Sequence, residues 1–214
     1  MRGAERWARW AGAVAVALWV ASVVISSGSP GENASEAECL AYIQKDTNTI
    51  IVGGFLFMLG CLAFLWFAVV LRERLAAAEG GSGMLSNVAF VGAAAVGAFM
   101  MLTPGPEIAA AIIAEEEEEV SASAAAAMRM LPEAFLVAAA ISAILLMLGG
   151  GIVALGTRIF PKVWAWCSFL LALLLVIPPI GWAALLLGLL PVWIVTTVFL
   201  LRRGAPAVTP VAQP

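Results

Sequence analysis

Five consecutive carboxylates, Glu115 to Glu119, form the densest run of chemistry-bearing side chains in the sequence. Divalent cations such as calcium prefer oxygen ligands, so the run is a natural place to look for one. A calcium site, however, needs ligands that converge from a loop of defined geometry. On a helix, successive side chains radiate around the axis instead. The run then reads as a solvated, self-repelling segment that holds no ordered metal. It belongs in water, because each charge at the centre of a hydrocarbon layer would cost at least about 2.5 kcal/mol.

Other chemistry is limited by composition. The chain has no histidine, so a zinc-binding HExxH helix and any Ser–His or Cys–His pair are excluded. The long apolar stretches hold no Asp or Glu, which excludes an intramembrane aspartyl dyad. Metal-dependent lipid transferases need acidic clusters at one membrane face, and the only acids on that side are Glu5, Glu73 and Glu79. No catalytic residue, cofactor site or metal site is expected, and the chain is not read as an enzyme. Cys39 lies in an acidic segment and Cys61 and Cys167 in apolar ones, with no two in the same loop. No disulfide framework follows from that spacing. Cys39 is expected to be inert, with an intermolecular disulfide as the alternative.

The elements that carry these residues are membrane spans. Of the 214 residues, 63% are apolar and 12% charged, against about 25% charged in soluble domains. A bilayer core needs about 20 apolar residues in a helix, and lipid forces backbone groups to be satisfied within that helix. Spans are expected at about 11–26, 50–71, 84–102 and 134–155. The last apolar block, 163–201, would measure about 58 Å as a single helix, nearly twice the hydrocarbon thickness. Pro178, Pro179 and Gly181 mark a turn inside it. It therefore divides into spans at about 163–176 and 180–201. The fifth span is short, so a re-entrant hairpin is the alternative to two full crossings.

Charge orients the spans. With six crossings, Arg2, Arg6, Arg9, Arg72, Arg74, Arg158, Lys162, Arg202 and Arg203 share one side, and only Lys45 and Arg129 lie on the other. Eleven of the fourteen acids lie with those two exceptions. The positive-inside rule then puts both termini in the cytoplasm of a plasma-membrane protein, followed by a cytoplasmic Pro/Ala-rich tail at 204–214. Residues 1 to 29 resemble a signal peptide in outline. A run of about 16 apolar residues containing Trp19, with no clear small-x-small site after it, favours a retained anchor.

Both long outer loops carry order of their own. Ser35 followed by Glu38 fits a capping box, and Leu40, Ile43 and Thr47 fall on one helical stripe. A short amphipathic helix leading into span two is expected. Asn33-Ala34-Ser35 is a glycosylation sequon by pattern alone. Pro104-Gly105-Pro106 closes span three. Residues 107 to 130, rich in the helix formers Ala and Glu, are read as an outer helix interrupted near Ser121 to Ser123. Leu131-Pro132 is read as the opening of span four, and Arg129 is placed to pair with Glu133 at i,i+4.

Inside the spans the polar side chains are Ser86, Asn87, Ser142, Ser168, Thr196 and Thr197. Hydroxyls there commonly bond carbonyls of their own helix. Small residues (Gly53, Gly54, Gly60, Ala93, Gly97 and Gly149 to Gly151) fit close helix packing, with self-association or a local unwinding at the Gly triple as alternatives. Trp7, Trp10, Trp164 and Trp182 sit near span ends as interfacial anchors. Trp19, Trp66, Trp166 and Trp193 lie deeper. Pro191 is a potential kink in span six.

Three segments carry a resemblance. They are LRERLAAAEGG after span two, EAECLAYIQKDTNTIIVGGFL before it, and the ending FPKVWAWCSFLLALLLVIPPIGWAALLLGLLPVWIVTTVFLLRR. In these the chain resembles a set of uncharacterised actinobacterial multi-pass membrane proteins, over roughly residues 35 to 203, although the Glu run is atypical of them. The resemblance implies a six-helix bundle in a bacterial plasma membrane and transfers no activity. The overall expectation is an all-α polytopic bundle of six transmembrane helices. Its role is expected to be non-catalytic, either accessory and organising or sensing. The alternative is a channel or transporter for a small uncharged solute. The expected partners are the lipid bilayer and a protein or second copy docked on small-residue helix faces; nucleic acid is not among them.

Overall fold

The computed structural model describes residues 10–30, 34–115, 121–176 and 182–202, with backbone alone for 182–187. The chain is all-α. In order, the helices are α1 (Ala11–Ile25), α2 (Glu36–Lys45), α3 (Thr47–Glu79), α4 (Met84–Leu102), α5 (Gly105–Glu115), α6 (Ala122–Thr157), α7 (Lys162–Val176) and α8 (Trp182–Arg202). A single 3-10 turn, Ser26–Gly28, extends α1. Among the described residues, four helical stretches are long and apolar enough to cross a membrane. The fifth and sixth expected spans correspond to shorter apolar helices. At 15 residues, α7 is about 22 Å long.

Two apolar clusters divide the molecule. The larger joins α1, α3, α4, α6, α7 and α8, with Phe64, Val96, Leu146 and Ile194 fully buried. The smaller is a cap at one end of the bundle in which Cys39 and Ile43 of α2 and Ile50 of α3 pack with Ala110 and Ala111 of α5 and Ala125 of α6. Burial of Cys39 in this cap removes it from the surface position that an intermolecular disulfide requires.

Local chemistry explains the helix borders. Ser35 accepts from the Glu38 amide at 3.3 Å while the Glu38 carboxylate accepts from the Ser35 amide at 2.8 Å, which is the capping box. The resulting α2 stops at Asp46, and Thr47 begins α3 while donating its hydroxyl back to the Ile43 carbonyl at 2.9 Å. The α4 borders coincide with the expected span, and Ser121 caps α6 by accepting from the Ala124 amide. At the other end of α6, Arg158 occupies the left-handed region at φ 58°, where its amide bonds the Ala154 carbonyl.

One expectation is corrected. Pro132 does not open span four, because α6 runs unbroken from Ala122 to Thr157 with Pro132 inside it. A mid-helix proline forgoes one backbone bond and crowds the preceding turn. The Ala-rich stretch before it supplies enough helix preference to continue through.

Glycine faces set the tightest helix approach. A Cβ on Gly92 would lie 2.5 Å from the Leu146 amide nitrogen, and one on Gly149 would lie 2.8 Å from the Leu85 carbonyl oxygen. Here α4 and α6 touch backbone to backbone, the geometry that small residues permit in membranes.

Candidate functional site

Three polar assemblies stand out against the apolar bundle. The first ties the cap together. Arg129, in the first turns of α6, donates to the Ser29 hydroxyl at 3.3 Å and to the Pro30 carbonyl, and it pairs with Glu107 of α5 at 3.5 Å. It joins the segment after α1 to two other helices. The expected partner Glu133 is exposed and makes no such pair among the described residues. The Arg129 side chain reaches the chain crossing beside it, where three acceptors are waiting, rather than running along its own helix. A cavity of about 140 Å³ adjoins it, lined in part by Cys39, Met130 and Pro132. Nearby, burial pushes the Tyr42 hydroxyl above its ordinary pKa, and the Glu107 charge adds to that rise.

The second assembly joins α3 to α4 at the opposite end. The Glu79 carboxylate accepts from the amides of Leu85 and Ser86 and from the Ser86 hydroxyl. An acid from the preceding helix thus satisfies the free N–H groups that open α4. Arg72 donates to the Asn87 side-chain oxygen at 2.8 Å and lies over the Phe90 ring. At this end too, the Arg202 guanidinium stacks 4.1 Å from the Trp10 ring centroid, bringing the start of α1 and the end of α8 together.

The third is a reciprocal clasp between α7 and α8. The Trp164 indole donates to the Thr197 hydroxyl and the Trp193 indole donates to the Ser168 hydroxyl, both at 2.9 Å. Each hydroxyl donates in turn to the carbonyl four residues back, Thr197 to Trp193 and Ser168 to Trp164. The indoles lie tilted against each other at 31°, with centroids 5.2 Å apart. All four side chains are buried. The sequence holds the signal for this clasp, a Trp followed four residues later by a hydroxyl in both helices. Single-helix reasoning assigns the hydroxyls to their own carbonyls, and Ser142, Ser168, Thr196 and Thr197 do make those bonds. What it misses is that a hydroxyl donating backward still offers its lone pairs.

The remaining candidates are dispersed. Glu115 is exposed at the end of α5; Glu116 to Glu119 lie outside the described residues. Among the described residues no cluster of His, Cys, Asp or Glu has an arrangement that would hold a metal ion. Gly149 to Gly151 remain helical and serve as contact surface, Gly150 towards Trp164 and Gly151 against Phe169. Trp19 is buried against Gly60, Phe57 and Phe64, whereas Trp66 and Trp166 are exposed. Trp164, expected as an interfacial anchor, is buried in the clasp. Trp7, Pro178 and Pro179 fall outside what is described, and of Trp182 the backbone alone is described. Between α6, α7 and α8, a cavity of about 10 Å³ lined by Ala143, Met147 and leucines has at most the room of one water and no polar group to hold it. The chain matches no family model, no curated protein and no solved structure.

Proposed function

We propose that this chain is a non-catalytic, multi-pass protein of a bacterial plasma membrane, of accessory and organising or sensing type. In this reading six helices cross, both termini face the cytoplasm, and the cap of α2, α5 and outer α6 stands outside. One observation carries it: α6 is a single helix of 36 residues, about 54 Å long. Its outer turns build the cap through Arg129 and Ala125, and its inner turns pack against α4 and α7. A contact made on the cap is therefore coupled to the bundle through one rigid element. Small-residue faces and the bilayer are the partners this reading calls for.

A solute pathway has less support. The residues that would line it are placed otherwise: Asn87 meets Arg72 at a helix end, Thr197 is closed in the clasp, and Thr196 faces outward. The test is purification of the tagged full chain from native membranes in a mild detergent. A stoichiometric protein partner, lost when Arg129→Ala loosens the cap, supports the reading. A chain that purifies alone and carries a small uncharged solute across reconstituted vesicles overturns it.

A further inference from the structure

A groove of about 490 Å³ runs between α7 and α8 on the outer surface of the bundle. Its floor is the buried Trp164 and Trp193 of the clasp, and its walls include the exposed Val163, Leu170, Val192 and Thr196. The helices are antiparallel, so Pro161 lies level with Leu200 at one end and Leu174 with Leu189 at the other. From Pro161 to Leu174 the groove extends about 20 Å along α7, enough to traverse one leaflet of a hydrocarbon core about 30 Å thick. Its volume is that of a ligand pocket rather than a surface crease.

The two ends differ in charge. Next to the Pro161 end stand Lys162 and Arg158, both exposed, and neither is in an ion pair among the described residues. Arg202, at the same level on α8, is stacked on Trp10. The other end has apolar residues alone among those that line it. An apolar slot one leaflet deep with cations at one mouth complements a molecule with an acyl chain and an anionic head. We propose that this groove holds an anionic phospholipid of the surrounding leaflet, its chain over Trp164 and Trp193 and its phosphate at Lys162 and Arg158. Basic sites beside transmembrane helices recognise anionic headgroups by the same attraction. This goes beyond the accessory or sensing role and needs only that the chain lie in a bilayer, so loss of a protein partner would leave it standing.

Native mass spectrometry of the lipid-stripped full chain tests it, with an equal mixture of phosphatidylglycerol and phosphatidylcholine added back. The parent is expected to retain phosphatidylglycerol, with a preference of roughly five-fold for each cation. Lys162→Gln then lowers the preference about five-fold. Adding Arg158→Asn, a residue that tolerates the left-handed backbone there, abolishes it. Cys167→Trp, which fills the groove from an exposed position of its wall, should displace both lipids, whereas Val91→Trp on the exposed face of α4 should not. Equal retention of the two lipids, a preference that survives the double variant, or lipid retained by Cys167→Trp would overturn the proposal. So would a dimer of the lipid-stripped chain that Cys167→Trp dissolves, which would give the groove to a second copy.

Discussion

The cap and the bundle are built from the same helix formers but are held in different ways. In the cap, charges make the joints: Glu38 closes the capping box, and Arg129 gathers Ser29, Pro30 and Glu107. In the bundle, charged joints (Glu79 and Arg72 with α4, Arg202 with Trp10) are kept to the end away from the cap. The apolar middle is joined by backbone contact at glycine and by hydrogen bonds between neutral groups, the indoles and hydroxyls of α7 and α8. The difference is what two solvents require. Between apolar helices in lipid there is no hydrophobic drive, so close packing and interhelical hydrogen bonds must hold them. Beside water a charged joint is inexpensive and a long side chain such as Arg129 can bridge three segments.

The comparison breaks first at its tightest point. Gly149→Leu would push a side chain into the Leu85 carbonyl and the Ala89 amide, atoms of a backbone that cannot swing aside. A loss of about 3 kcal/mol or more is expected, read as loss of folded protein in detergent or a large drop in melting temperature. Gly156→Leu is the control, because nothing lies within reach of its Cβ.

The cap joint comes next. Arg129→Ala should cost about 1 to 2 kcal/mol and loosen α5 from α6, seen as faster amide exchange in α5 while the bundle is unchanged. A uniform loss across both regions would contradict the division into two layers.

The clasp comes third. Thr197→Val leaves the buried Trp164 indole without its acceptor, and such bonds in membrane proteins average about 0.6 kcal/mol with a maximum near 1.7. A double-mutant cycle with Trp164→Phe should show that the two substitutions are not additive; strict additivity would mean that the bond is not worth anything.

The smallest effects belong to exposed acids. The Ser35 amide and hydroxyl hold the Glu38 carboxyl below its ordinary value of 4.5. A depressed folded pKa means that the cap is fully stabilised above that value and weakens as the pH falls through the lowered one. Ser35→Ala should speed amide exchange at the start of α2 roughly five-fold at neutral pH and lose that acid dependence. Replacing Glu115 to Glu119 with Gln should leave melting unchanged with or without calcium. A calcium-dependent rise in the parent, lost in the variant, would make that segment a true site.

Much of this was legible in the sequence, and most misses share a cause. The Ser35 box and the backward-bonding hydroxyls of Ser142, Ser168, Thr196 and Thr197 depend on residues four apart or fewer, and these came out as expected; Ser86 instead donates to Glu79. Ser86, Arg129 and the clasp depend on partners brought together by the fold, whereas Pro132 is a local matter. Pro132 is carried through by the Ala-rich helix around it. Arg129 finds acceptors 22 and 100 positions away in sequence rather than the one four residues along. Trp164 reads as an anchor until α8 lies beside it. The Glu79 cap on α4 was missed because the expected span two stopped before the helix did, while α3 continues to Glu79.

The central proposal is that the cap and the α3–α4 turn beside Glu79 lie on opposite sides of one bilayer, with α3 running from one to the other. Single cysteines at Ala76 and Ser123, in a chain whose native cysteines are replaced, test it with a membrane-impermeant maleimide on intact cells. Position 123 should label from outside, while position 76 should label only after the membrane is permeabilised. Equal labelling of the two positions from one side would contradict the account.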